Sequence, residues 1–192
     1  MATNMSTISV SKLRFLPDGA NDYLRRRATE AWGLALIITA LVLALTFLSF
    51  SVDDPSANHA ITGPVYNFLG VPGAWVADLV LQTIGLAGGL ICLTLLAWGW
   101  RMISHRGLPL LWLNMSTLPV MLVGASFVLA AFSVPQNWPL ASGLGGWVGD
   151  GLFRSAVHLG QEAGLPMSPG LYGLIAAPVV LILIGISFAL SP

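Results

Sequence analysis

The side chains that could perform chemistry in this sequence are few and scattered. Its three histidines, His59, His105 and His158, are isolated, and none is paired with another His or Cys at metal-ligand spacing. The single lysine, Lys12, is far from any glycine-rich loop that could cradle a phosphate. Ser126 is a candidate nucleophile, but a membrane protease would need a histidine at the same depth, and the histidines lie in loops. We therefore predict that this chain is not an enzyme and takes no metal or cofactor.

Asp78 is the one ionisable side chain that the apolar pattern places at membrane depth. An acid there first suggests a function, such as an ion path or pairing with another span. However, Pro72 and Gly73 indicate a helix start just before it, so that Asp78 would lie about one turn in, where the helix dipole stabilises a carboxylate. The alternative is a small transporter or channel subunit that uses Asp78. Its other candidate polar residues are sparse: Thr39, Thr46, Gln82, Thr83, Thr94, Asn114 and Ser126.

The composition is that of an integral membrane protein. Apolar residues make up 56% of the chain and charged residues 8%, whereas a soluble domain has about 25% charged residues. Crossing the hydrocarbon takes about 20 apolar residues, and four stretches reach that length, at about 31–50, 74–100, 110–132 and 171–190. The predicted fold class is an all-α membrane protein with four transmembrane helices. Residues 1–30 form a basic tail, and residues 31–190 form the transmembrane domain.

The distribution of positive charge predicts the orientation. All but one of the eight Lys and Arg residues fall on one side of this four-span arrangement, and the exception is Arg154. Positive charge near span ends is retained in the cytoplasm. Both termini should therefore be cytoplasmic, and the loops at about 51–73 and 133–170 should face outward. The residues on the predicted inner side are Lys12, Arg14, Arg25, Arg26, Arg27, Arg101 and Arg106.

The second outer loop has a helical pattern of its own. From residue 146 to 164, apolar residues recur at steps of three and four, and charged residues form a second stripe at four-residue spacing. This predicts an amphipathic helix in the second periplasmic loop. It either lies on the outer membrane face or packs on the bundle with a solvated outer face.

Two further patterns indicate structural roles. Gly85 and Gly89 form a GxxxG pair, which lets helix backbones approach closely and predicts self-association through this face. Asp53 and Asp54 directly follow the first span and suit a turn in which Asp caps backbone donors, with Pro55 stopping the helix.

Three ordered motifs carry a family resemblance. The segments are SFSVDDPS at 49–56, NFLGVPGAWVADLVLQTIGLAGG at 67–89 and LAWGWR at 96–101. Together they resemble the amino-terminal four-span membrane domain of the FtsK/SpoIIIE DNA translocases, from about Ala31 to the end of the chain. Val52 departs from the pattern, because proline is common at its position. The glycines and other residues that match are Gly70, Gly73, Ala74, Ala77 and Asp78 at the start of the second span, and Gly143, Gly145, Gly146 and Gly149 before the fourth.

The resemblance implies a cell-division and chromosome-segregation protein of the bacterial inner membrane. In that family the membrane domain forms a homo-oligomer, a hexamer, at the septum, contacts other divisome proteins and anchors a cytoplasmic ATPase that pumps DNA. This segment would contact the lipid bilayer and would not bind DNA directly. The chain stops at Pro192, just after the fourth span, so the expectation is either a fragment of a longer protein or an anchor-only member.

Overall fold

A computed structural model describes residues 20–56, 64–108, 110–140, 142–165 and 167–189, and over these ranges all regular structure is helical. Four helices are long and apolar enough to cross a membrane when the interrupted helix Gly70–Ile103 is counted as one, so the predicted fold class is confirmed. Lys12, Arg14 and His59 lie outside the described residues. The elements are α1 (Ala20–Leu48), α2 (Gly70–Ile84), a 3₁₀ turn (Gly85–Gly88), α3 (Gly89–Ile103), α4 (Leu111–Ala130), α5 (Gly146–Glu162) and α6 (Pro169–Ser187).

The first helix begins well before the predicted span. It starts at Ala20, within the segment assigned to the tail, and continues to Leu48. Arginine, leucine and alanine are good helix formers, so this segment extends the span without a break. Arg27 Nη1 also donates to Glu30 Oε2 at 2.6 Å, and its guanidinium lies 5.2 Å from the centre of the Tyr23 ring.

The four membrane-crossing helices form two antiparallel pairs. In the first pair, α1 packs along α3 at close range, since a Cβ on Gly33 would lie 2.7 Å from the carbonyl oxygen of Gly99. In the second pair, α6 packs along α4, and Thr117 Oγ1 and Ser187 Oγ share a hydrogen bond of 3.0 Å. The two pairs meet at a small apolar core built from Ala87, Ala125 and Val180.

The pairing defines two ends of the molecule. We call the end that holds Arg25, Arg26, Arg27, Arg101 and Arg106 the basic end. The opposite end holds α2 and α5, and we call it the α5 end. At the basic end, Trp98 Nε1 of α3 donates a hydrogen bond to the carbonyl oxygen of Ser187 of α6 at 2.6 Å.

The second predicted span is interrupted. The apolar pattern predicts one span at about 74–100, but α2 ends at Ile84 and a 3₁₀ turn separates it from α3. Gly85 adopts φ 61° and ψ −143°, a region that is essentially restricted to glycine. The N–H of Leu86 leaves the helical ladder and donates to the carbonyl oxygen of Leu144 at 3.0 Å. A tertiary contact with the segment before α5 therefore takes the place of one helical hydrogen bond at the break.

Candidate functional site at the junction of α2 and α5

The helix break and the start of α5 lie in direct backbone contact. A Cβ on Gly85 would come within 2.6 Å of the Gly146 nitrogen and would also collide with the Leu144 carbonyl. On the neighbouring side, a Cβ on Gly149 would collide with the Ser126 carbonyl. Ser126 Oγ donates to the Ile84 carbonyl at 3.0 Å, which ties α4 to the last residue of α2. Three helices thus meet at a point where only glycine fits.

The amphipathic helix predicted in the second outer loop is present as α5, and it packs against α4 and α2. Its inward face carries Phe153, whose ring lies 5.7 Å from that of Phe127 and 6.0 Å from that of Tyr172, measured between centroids. Its other face is exposed and carries Trp147 and Arg154. The helix is therefore held to the bundle by glycine contacts and aromatic packing.

A buried carboxylate joins the end of α1 to the start of α2. Asp54 is buried and accepts hydrogen bonds from the backbone N–H of Tyr66 at 2.6 Å and of Asn67 at 3.0 Å. Asn67 is also buried, and its Nδ2 donates to the Thr46 carbonyl at 2.9 Å. The expected role of Asp54 in capping backbone donors is found, although the donors lie across the loop. Asp53 is exposed.

Replacing Asp54 with alanine should destabilise the domain by about 2 kcal/mol, because one buried and one part-buried backbone N–H lose their acceptor. Asp53→Ala is the matched control, since the exposed neighbour should change stability by less than about 0.5 kcal/mol. The two variants would be compared by thermal unfolding in detergent. Equal midpoints for both would show that the Asp54 hydrogen bonds do not hold this connection together.

Asp78 does not lie near the start of its helix. Because α2 begins at Gly70, Asp78 is more than two turns in, and the dipole effect falls off within the first turn. Its side chain is buried, with 5% exposed, and Oδ1 accepts from Gln82 Nε2 at 2.5 Å. The prediction that the helix dipole stabilises the Asp78 carboxylate is therefore wrong, and the carboxylate accepts a hydrogen bond from a side chain of the same helix instead.

A cleft of about 640 Å³ opens between α2 and α5 at the position of Asp78. We call it the α2–α5 cleft. Asp78 and Gln82 line it from α2, and Asp150 and Arg154 line it from α5. Asp150 Oδ2 accepts from the backbone N–H of Gly143 at 2.7 Å, which fixes the segment before α5 against the helix. The cleft therefore presents two carboxylates and one guanidinium.

The remaining motif residues fall at separate places. Gly70 begins α2 with φ 66°, and Gly73 packs against the Asn67 side chain. A Cβ at Gly89 would meet no atom within 4 Å beyond its chain neighbours and the nearby backbone of its own helix. The GxxxG pair is therefore divided between an enclosed Gly85 and an open Gly89. Sequence reasoning did not predict the role of Asn67 in joining α1 to α2. The one feature that could have indicated it is that Asn67 begins the second family motif. Sequence reasoning also assigned Ser126 no structural role.

The threonines proposed to line a route through the bilayer bond to their own helices. Thr39 Oγ1 donates to the Ala35 carbonyl and Thr94 Oγ1 to the Leu90 carbonyl, and Thr46 does the same toward Val42. Hydroxyls that are used in this way offer fewer groups to a passing ion. Among the described residues, no three His, Cys, Asp or Glu side chains are grouped so that they could hold a metal ion.

Four membrane-crossing helices in two antiparallel pairs, with α2 and α5 joined at one end, define a multi-span helical membrane domain. Its sequence places that domain among known proteins. The chain belongs to the family described as the 4TM region of DNA translocase FtsK/SpoIIIE, which matches residues 25–191. The predicted resemblance is confirmed, and the domain is that of a multi-pass inner-membrane protein.

Curated relatives carry the same description. The chain is similar to DNA translocase FtsK of Bradyrhizobium diazoefficiens, with 37% identity over 140 residues that cover 73% of this chain and 17% of the relative. It is similar to DNA translocase FtsK of Brucella melitensis, with 33% identity over 181 residues that cover 92% of this chain and 20% of the relative. The chain thus spans about a fifth of the length of these relatives. No solved structure matches it significantly.

Proposed function

We propose that this domain is the septal membrane anchor of a DNA translocase. It tethers a cytoplasmic ATPase to the inner membrane, self-associates as a hexamer and contacts other division proteins, while DNA is bound and moved by other parts of the protein. The observation that carries the proposal is the family match over residues 25–191, together with relatives named DNA translocase of which this segment is about a fifth.

The arrangement of the helices suits an anchor. The basic residues of α1 and α3 lie at one end, and α6 finishes at that same end beside Trp98. Retention of positive charge in the cytoplasm would place the basic end inside. Exposed tryptophans at this end suit the aromatic belt of a membrane–water interface. They are Trp32, Trp100 and Trp112.

The lengths of the helices suggest where the outer membrane boundary lies. The interrupted helix Gly70–Ile103 has 34 residues, or about 50 Å at 1.5 Å per residue, against a hydrocarbon thickness of about 30 Å. Residues 85–103 alone give about 28 Å, close to the length of α4, which has 20 residues. We place the outer boundary near Gly85, so that α2 and α5 lie at the head groups and beyond.

A fluorescent fusion to this domain should gather at the division septum of a host that supplies compatible partners. A matched control is a fusion to residues 20–48 alone, which keeps one span and the three arginines of α1 but none of the other helices. We expect enrichment at the septum for the four-span fusion only. An even distribution of a correctly inserted four-span fusion around the envelope would contradict septal anchoring.

A further inference from the structure

We propose that the α2–α5 cleft binds the head group of a phospholipid that carries ethanolamine. The inference rests on the outer boundary proposed near Gly85. That boundary puts Gln82 and Thr83, which line the cleft, within one helical turn of the hydrocarbon. At this depth lipid head groups are the molecules that surround the protein most densely.

The carboxylates of the cleft suit an ammonium group. Asp78 and Asp150 line the cleft from opposite helices, and the hydrogen bonds found for them among the described residues use one oxygen each, Asp78 Oδ1 and Asp150 Oδ2. An ethanolamine ammonium has three N–H donors, as a lysine ammonium does. It could therefore donate to the carboxylates while neutralising charge that is costly to bury at Asp78.

The other polar groups of the cleft suit a phosphate. Arg154 is one helical turn beyond Asp150 on α5, and no ion pair of its guanidinium is found within the described ranges. Guanidinium groups bind phosphate through two parallel hydrogen bonds. Ser142 also lines the cleft, and its buried Oγ has no hydrogen-bond partner among the described residues. A phosphate or ester oxygen would supply that partner.

The apolar lining and the volume favour a lipid over other zwitterions. Phe50, Leu79 and Trp147 line the cleft beside its charged groups, so a ligand with charge at one end and an apolar body at the other fits it. A volume of about 640 Å³ lies within the range of small-molecule sites, about 300 to 1,000 Å³. Phosphatidylcholine has the same charges but no N–H donors, and phosphatidylglycerol has no cation, so both should fit less well.

Native mass spectrometry of the purified domain, with phosphatidylethanolamine, phosphatidylcholine and phosphatidylglycerol of matched acyl chains, tests the proposal. We expect retention of phosphatidylethanolamine to exceed that of the other two by about tenfold, since each charge-assisted hydrogen bond contributes that order of affinity. Asp78→Asn should remove the preference, while leaving an oxygen that can accept from Gln82. Arg154→Gln should weaken retention of all three lipids.

Glu162→Gln is the matched control, because Glu162 is an exposed carboxylate on α5 that does not line the cleft. It should retain phosphatidylethanolamine as the unsubstituted domain does. Thermal unfolding in detergent, without added lipid, checks that Asp78→Asn remains folded.

Equal retention of the three lipids would overturn the proposal, as would a preference that survives Asp78→Asn. Retention of a soluble lysine-containing peptide in the same mass spectra, lost in Asp78→Asn and with no lipid preference, would assign the cleft to a protein segment and would equally overturn the proposal. Failure of the boundary near Gly85 is detected separately by cysteine labelling on either side of the break. A correct boundary without a lipid preference would refute this inference alone.

Discussion

Gly85→Ala should destabilise the domain by about 3 kcal/mol. Two costs contribute, and each is of order 1 to 3 kcal/mol. An alanine at φ 61° and ψ −143° occupies a region that side chains rarely adopt, and its Cβ would collide with the backbone of Leu144 and Gly146. Backbone atoms cannot move aside as the end of a flexible side chain can. The change would be measured as a lower midpoint of thermal unfolding in detergent.

Gly89→Ala provides the matched control within the same GxxxG pair. Nothing beyond its chain neighbours and the nearby backbone of its own helix lies within 4 Å of a Cβ at Gly89, and the residue begins α3 with ordinary helical dihedrals. Alanine is favoured over glycine in helices by up to about 1 kcal/mol. We therefore expect Gly89→Ala to leave the midpoint unchanged or to raise it.

The same pair of variants separates folding from association. If the GxxxG pair were chiefly a contact between copies, larger side chains at both positions would weaken crosslinked oligomers to a similar extent. The structure encloses Gly85 within its own chain and leaves Gly89 open. Loss of oligomers in both Gly85→Leu and Gly89→Leu, with unchanged monomer stability, would favour the association interpretation.

Cysteine labelling should divide the second span sharply at the break. A cysteine at Leu79 should react with a membrane-impermeant maleimide added to intact cells with a permeabilised outer membrane, whereas one at Leu93 should not react. Both side chains are exposed on the protein surface, 68% and 50% respectively, so the contrast reports the surrounding medium. Thiols react as thiolates, which need water. A single continuous span at 74–100 would bury both positions in hydrocarbon.

Cysteines at loop positions control this experiment. Gln136 is exposed at the α5 end and should react from outside, whereas Arg106 is exposed at the basic end and should react only after the inner membrane is opened. The native Cys92 is buried, which keeps the background low. Reaction at Arg106→Cys in intact cells, without reaction at Gln136→Cys, would reverse the orientation.

Much of the helical content could be predicted because its cause is local. An apolar run of about 20 residues has few alternatives to a membrane helix, and the spans expected at 110–132 and 171–190 agree with α4 and α6 to within a few residues. The spacing of apolar and charged residues at 146–164 likewise indicated α5. Charge patterning predicted which basic residues share an end, and the structure places Arg25 and Arg101 at the same end of the antiparallel pair α1 and α3.

The parts that sequence reasoning did not predict depend on residues far apart in the chain. The break after Ile84 depends on a hydrogen bond from Leu86 to Leu144 and on contact with Gly146. The three glycines at positions 85, 88 and 89 are compatible with a helix break. Close packing between unbroken helices explains such glycines equally well. The α2–α5 cleft could not be foreseen, because its two carboxylates come from helices whose relative placement the sequence pattern left open.

The last turn of α6 has a mechanical consequence. Ser187 is held at two atoms, by Trp98 of α3 at its carbonyl and by Thr117 of α4 at its hydroxyl. A force that pulls the chain at the carboxyl end of α6, as the ATPase of the proposed function would exert, would enter the domain at this residue. The load then passes into α3 and α4, and from α3 into α1 across the close contact of Gly33 with Gly99. Resistance to extraction therefore becomes a property of the four helices together, and not of the helix that is pulled.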